Sequence, residues 1–284
     1  MVSIVRSKPL TVIVVTAAAL LLLVALLVAA LYRFQERIAF QPQGPPYPDV
    51  DSALRVAYSA RDGQPLFAYL LGDSSSEQGL LLAFHGNADM AARQIGWAEE
   101  VVRRSGMAVM LAEYRGYAGL PGKPTYAGSQ LDTDAAYDFA RETLQVPQDR
   151  IAYFGHSLGT AIAAELAARR PPFALLLQSP FTSAQDMARF LIGPKPASFT
   201  WNHISRIHFN TVDRVKLLDV PVSVTHGAKD GLIPPEMGRQ VYEAARNRGK
   251  WLIVAEASHN DVATKGGNLY WQWLTDSLVL PRIQ

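Results

Sequence analysis

The amino-acid sequence predicts an α/β fold: a mostly parallel central sheet covered by helices, preceded by one apolar helix. Three observations predict it. Short apolar runs alternate with amphipathic stretches along residues 52–284, the pattern of successive strand–helix crossovers. Some of these runs, such as "GLLLAFHG" at 79–86, are apolar at consecutive positions, as a strand buried on both faces requires. Ahead of them, Leu10 to Leu31 is a run of 22 residues without a charge.

That first run defines residues 1–36 as an N-terminal signal-anchor or transmembrane segment. A helix of its length covers about 33 Å, enough to cross a hydrocarbon core of roughly 30 Å. A cleaved signal peptide is the alternative, with Val28 and Ala30 as small residues near a cleavage site; signal-peptide cores usually run about 7–15 residues. Arg6 and Lys8 lie on one side, and Arg33 and Arg37 on the other. The slight bias favours a cytoplasmic N-terminus with the main domain outside. No Asn is followed two positions later by Ser or Thr, which points to a bacterial inner membrane and its periplasmic side rather than a glycosylating lumen.

Residues 37–51 read as a Pro-rich linker, "QPQGPPYPDVD" from 41 onward, because proline fixes φ and removes amide donors. In residues 52–284, "LRVAYSA" and "PLFAYLL" flank Arg61-Asp62-Gly63-Gln64 as a hairpin. After the strand at 79–86, Ala91–Ser105 has helical spacing, "MAVMLAEY" is a strand and Ser129–Leu144 a helix. "RIAYFG" (strand), "LGTAIAAELAARR" (helix), "FALLLQS" and "VPVSVTHG" (strands) follow, then a helix over 236–247, the strand "KWLIVAE" and a helix around Tyr270–Ser277. Between "FALLLQS" and "VPVSVTHG", residues 180–219 break the rhythm. They carry Met187, Phe190, Leu191, Phe199, Trp201, Ile204, Ile207 and Phe209, and read as a lid-like insertion or as two short core-packing helices.

Composition narrows the chemistry. The chain is 49% apolar and 18% charged, with a net charge of +2. No basic stripe interleaved with aromatics marks it for nucleic acid. There is no cysteine, so thiol catalysis, disulfides and thiolate metal sites are excluded.

Ligands of parallel sheets bind at the carboxyl ends of the strands, and four short motifs fall there. Gly155-His156-Ser157-Leu158-Gly159 follows "RIAYF". It reads as a nucleophile elbow in which Ser157 sits on a strained bend, Gly155 and Gly159 relieve crowding, and the helix from Leu158 aims its amides at developing negative charge. His85-Gly86-Asn87-Ala88 follows "LLLAF". A backbone amide there, that of Asn87, can pair with the Leu158 amide to form an oxyanion hole; Gly86 lets the chain come close, and His85 reads as structural support. His226-Gly227-Ala228-Lys229-Asp230 supplies a carboxylate, Asp230, to orient an imidazole, and His226 reads as structural. Ser258-His259-Asn260-Asp261 supplies that imidazole, His259, in competition with His156, His203 and His208. The order Ser157, Asp230, His259 is that of α/β-hydrolases, not of chymotrypsin-like or subtilisin-like enzymes.

The motifs "HGNA", "EYRGY", "GKPTYAG", "LDTDAAYDF", "YFGHSLGTAIA", "LLLQSPFTSA", "HGAKDGLIP" and "ASHND" resemble a subgroup of small, often membrane-anchored α/β-hydrolases. The subgroup includes bacterial envelope hydrolases and animal lipid and protein-thioester hydrolases. The resemblance covers about residues 50–280. It implies a Ser157–His259–Asp230 triad, an oxyanion hole at Asn87 and Leu158, and a pocket floor shaped by Tyr114-Arg115-Gly116-Tyr117. The sequence departs from the pattern at Ala118, where relatives place Gly, and at Ala257, often Gly before the histidine loop.

The expected protein is a membrane-anchored serine hydrolase that cleaves carboxylic ester or thioester bonds through an acyl-enzyme. No metal or organic cofactor is expected. The expected substrate is a small molecule, a lipid or an acylated protein. An amidase or peptidase on the same fold, and a catalytically silent anchored scaffold, are the alternatives.

Overall fold

The computed structural model describes residues 8–44, 51–195, 201 and 203–279. One sheet of eight strands orders it: β1 (Leu54–Ser59), β2 (Pro65–Leu71), β3 (Leu80–Phe84), β4 (Ala108–Ala112), β5 (Ile151–His156), β6 (Leu175–Gln178), β7 (Val222–Gly227) and β8 (Arg248–Val254). The spatial order is β1-β2-β4-β3-β5-β6-β7-β8. β1 and β2 form the expected hairpin and β2 also runs antiparallel to β4, while all other neighbours are parallel. This is the α/β-hydrolase architecture read from the sequence.

The helices are α1 (Lys8–Phe40), α2 (Ile95–Ser105), α3 (Tyr126–Asp138), α4 (Leu158–Arg169), α5 (Ala184–Ile192), α6 (Thr211–Val215), α7 (Pro235–Ala244) and α8 (Val262–Ser277). β3, β4 and β6 are buried at every residue. Their alternate side chains feed two cores. One joins Leu80, Leu82 and Phe84 to α3, α4, α6 and α7; the other joins Leu81 and Ala83 to α2 and α8.

Several boundaries differ from the sequence reading. α3 begins at Tyr126, not Ser129, because the Thr125 hydroxyl accepts the Gly128 amide as a cap. α7 ends at Ala244, short of 247. α8 begins at Val262, eight residues before Tyr270, since the helix bends through Gly267 at φ 48° instead of starting after it. α1 continues past the charged residues Arg33, Glu36 and Arg37 to Phe40, so the first residues of the predicted linker are helical; its residues 45–50 lie outside the described part.

α1 has two characters. From Thr11 to Phe40 it is long and apolar enough to cross a membrane, and its most apolar window is not buried at all. Its last turns dock on the main domain, with Gln35 and Glu36 half-buried and Phe40 buried. Residues 180–219 hold both exposed and buried apolar side chains. An isolated bridge, Ser183 to Asn210, closes the base of the excursion. α5 rises from it with Phe190, Leu191 and Ile192 exposed, whereas Ile207 and Phe209 return to the core. Phe199 lies outside the described residues.

Candidate functional site

Parallel register aligns the strand ends, and the site is built on that rim. β5 ends at His156, and the next residue, Ser157, takes φ 54° and ψ −119°. A non-glycine residue rarely adopts that conformation, and it persists only where the surroundings impose it. Here they do: the Ser157 amide donates to the Gln178 carbonyl at 3.0 Å, and the Ser157 carbonyl accepts the Thr160 hydroxyl at 2.6 Å. The two glycines of the bend are steric necessities. A Cβ on Gly155 would lie 2.3 Å from the Gly159 carbonyl oxygen, and one on Gly159 would lie 2.1 Å from that of Phe84. α4 starts at Leu158, directly after the serine, so Ser157 sits at the N-terminal end of the helix, where the first amides lack intrahelical acceptors.

His259, on the loop after β8, reaches that hydroxyl. Its Nε2 is 2.9 Å from Ser157 Oγ, and its Nδ1 is 2.7 Å from Asp230 Oδ2. A carboxylate only accepts, so Nδ1 carries the proton and Nε2 is left to accept the serine's. Asp230 is saturated. Its Oδ1 accepts the Leu232 and Ile233 amides, both at 2.9 Å, and its Oδ2 also accepts His226 Nε2 at 3.1 Å. Burial alone would raise the Asp230 pKa, but the bonds from His226, His259 and Ile233 outweigh it and hold the carboxyl well below the usual range.

His226 is thus more than packing: two imidazoles share one carboxylate oxygen. Its Nε2 also faces the Ile233 carbonyl at 3.1 Å, while its Nδ1 is buried with no partner among the described residues. The remaining histidines are placed apart from this line. His156 Nε2 meets the His259 carbonyl at 3.3 Å, and burial together with the neighbouring His259 pushes its pKa down to about 4. His208 packs on Tyr126 and Trp201, and His203 lies in the insertion. Asp261 accepts the Ser258 amide at 2.6 Å and turns the histidine loop.

The loop after β3 closes the site from the other side. Gly86 abuts the serine, since a Cβ there would meet Ser157 Cβ at 3.1 Å. Beneath it, His85 is buried with both ring nitrogens facing acceptors: Glu113 Oε1 at 2.8 Å and the Gly86 carbonyl at 2.7 Å. Burial lowers its pKa, but the charge and hydrogen bond of Glu113 and the Gly86 carbonyl reverse the balance and raise it. The bond to the Gly86 carbonyl fixes the next peptide plane. In a trans peptide the N–H points opposite to the C=O, so the Asn87 amide is directed away from His85. Tyr114 is buried below and donates its hydroxyl to the His85 carbonyl at 3.0 Å.

Glu113 is the residue that sequence reasoning missed. Its Oε2 also accepts the Ala91 amide at 3.0 Å. The pairing of Phe84 with Ala112 across β3 and β4 makes the residues after them, His85 and Glu113, neighbours; the sequence shows only an acidic residue closing an apolar run, and a buried carboxylate demands donors. Ala118, the departure from the relatives' glycine, sits at φ 48°, a conformation that favours glycine. Among the described residues no three His, Asp or Glu side chains converge as metal ligands would.

A strained serine at a helix start, facing an imidazole backed by a carboxylate, on this sheet, defines a hydrolase of the α/β type. Comparison with known proteins places the chain among them. Residues 75–209 match the family described as serine aminopeptidase, S33. An uncharacterised protein of Mycobacterium tuberculosis is 30% identical over 266 residues, covering 89% of this chain and 92% of that protein. The α/β-hydrolase domain-containing protein WAV2 of Arabidopsis thaliana is 28% identical, covering 86% and 87%. The Pyrococcus furiosus esterase Pf2001 superposes with a TM-score of 0.65 at 18% identity, over 84% of this chain and 98% of its own. The chain belongs to the α/β-hydrolase superfamily.

Proposed function

We propose that the protein is a membrane-anchored serine hydrolase that cleaves carboxylic ester or thioester bonds through an acyl-enzyme. The observation that carries this reading is the continuous line Asp230 Oδ2–His259–Ser157 Oγ, with spacings of 2.7 and 2.9 Å. His259 Nε2 takes the hydroxyl proton as Ser157 Oγ attacks the carbonyl carbon, and Asp230 stabilises the resulting imidazolium. The Leu158 and Asn87 amides receive the oxyanion. As the tetrahedral adduct collapses, the imidazolium returns its proton to the leaving alcohol or thiol. Water, activated by the same imidazole, then attacks the acyl-serine and frees the acid.

α1 serves as a single-pass anchor with the catalytic domain on the periplasmic side of a bacterial inner membrane. The exposed apolar tip of α5 suits lipid or acylated-protein substrates. The test is covalent labelling by a fluorophosphonate: wild type labels and Ser157→Ala does not. Equal labelling of the two overturns the assignment.

One observation favours a second reading, cleavage of amide bonds: the matching family is described as an aminopeptidase. Paired p-nitrophenyl esters and p-nitroanilides of the same acyl group decide between them. Faster turnover of the ester supports the first reading, and of the anilide the second. No turnover of either by a folded domain points to a silent scaffold.

A further inference from the structure

We propose that the junction ending the anchor helix, Ala39–Gln43, is a positioning element of the oxyanion hole rather than a passive tether. The proposal rests on the serine-hydrolase reading above. Three carbonyls of this junction accept hydrogen bonds from the two loops at the rim of the sheet. The Ala39 carbonyl accepts Asn87 Nδ2 at 3.1 Å. That of Phe40 accepts the Ala88 amide at 3.3 Å and also the Tyr117 hydroxyl. That of Gln43 accepts the Ala118 amide at 3.0 Å.

The two amide donors are unusual in the same way. Ala88 lies at φ 53° and Ala118 at φ 48°, the left-handed region that alanine occupies only when its surroundings hold it there. In both, the held atom is the strained residue's own N–H. The Asn87 amide is one peptide away from the Ala88 amide. The strand side therefore fixes the preceding Gly86 carbonyl through His85, and the junction fixes the following N–H. Gripped at both ends, the Asn87 peptide has little freedom to turn its amide from the position of the developing charge.

The junction is itself immobilised. The Phe40 ring is fully buried and packs against Phe209 at 6.2 Å. One turn earlier, Gln35 pairs with backbone of the insertion: its Oε1 accepts the Arg206 amide at 2.7 Å, and its Nε2 donates to the Ile204 carbonyl at 2.9 Å. Glu36 adds an ion pair to Arg206 at 2.9 Å and accepts the Tyr126 amide at 3.2 Å. A flexible tether would need none of these contacts. Together they tie the end of α1 to Ile204 and Arg206 of the insertion and to the oxyanion loop.

The test uses the full-length chain in detergent, with Tyr117→Phe and Phe40→Ala. Three quantities are read: kcat and KM for p-nitrophenyl acetate, and Ki for an alkyl trifluoromethyl ketone, whose hemiketal with the serine places an oxyanion in the hole. A displaced donor costs the transition state and its analogue together, so kcat should fall about tenfold in Phe40→Ala and about threefold in Tyr117→Phe, with Ki rising in step and KM within about twofold. Loss of activity with Ki unchanged, which a smaller folded fraction would give, overturns the proposal, as do unchanged kcat and Ki. Tyr117→Phe keeps its ring and decides alone if Phe40→Ala does not fold. Failure of the wild type to react with a fluorophosphonate would instead remove the serine-hydrolase reading on which the proposal stands.

Discussion

The end of β7 and the loop after β8 each bring an imidazole to the same oxygen of Asp230, His226 at 3.1 Å and His259 at 2.7 Å. The side chains are identical and the shared partner is identical, so the difference lies at the other ring nitrogen. His259 Nε2 faces the Ser157 hydroxyl. His226 Nδ1 faces the backbone of α7, where a Cβ on Gly238 would come within 2.3 Å of it. A histidine can relay a proton only if its second nitrogen meets something that gives or takes one. The enclosed imidazole of His226 has a donor's place beside the carboxylate and no partner at its other nitrogen among the described residues, whereas His259 has a partner on both sides.

The largest test of this contrast is His259→Ala, which should lower kcat by about 10⁴-fold or more, as Ser157→Ala should, since proposed members of one relay fail as a unit. Steady-state ester hydrolysis measures both. Asp230→Asn should cost about 10⁴-fold in kcat, because a carboxamide no longer specifies the tautomer that leaves Nε2 free. His226→Asn should cost only about tenfold with KM unchanged, since Asp230 keeps its bonds to the two amides and to His259. A loss at His226 as large as that at His259 would erase the contrast. Gly238→Ala sharpens it further: a methyl pressed onto Nδ1 should displace the ring and reproduce part of the His226→Asn loss, a few-fold in kcat.

The smallest effect concerns stability. The folded pKa of His156, about 4, lies below its ordinary value near 6.5. A depressed folded pKa gives stability that is complete above the unfolded value and is lost as pH falls toward the folded one. Melting temperature should therefore decline between about pH 6.5 and 4, and His156→Gln should flatten that decline. The Asp230 carboxyl, held lower still, adds its own loss at more acid pH.

Much of this site is legible in the sequence because its residues follow strand ends. Ser157, Asp230 and His259 each come within a few residues of an apolar run, and their order in the chain excluded other arrangements. The grip of His226 was not legible, because its partner lies in its own motif and a structural role looked sufficient. Glu113 was hidden in an apolar strand whose pairing with β3 no local pattern reveals. The end of α1 was misread since Arg33, Glu36 and Arg37 mark the end of an apolar run, while helix termination depends on what Phe40 packs against. The first turns of α8, Val262 onward, lie before the non-helical Gly267 and carry less of the apolar pattern that marks Tyr270–Ser277.

A continuous α1 also sets a distance. From Leu31, the last residue of the uncharged run, to Phe40 beside the Ala88 amide, the helix climbs nine residues, or about 14 Å at 1.5 Å per residue. With the anchor inserted as proposed and upright, that is the standoff between the edge of the hydrocarbon and the mouth of the reaction centre; tilt shortens it. Headgroups occupy roughly the first 5–8 Å of this gap. An acyl group held in the leaflet would have to be drawn upward through them, and one carried on a neighbouring protein's surface would arrive already at the right height.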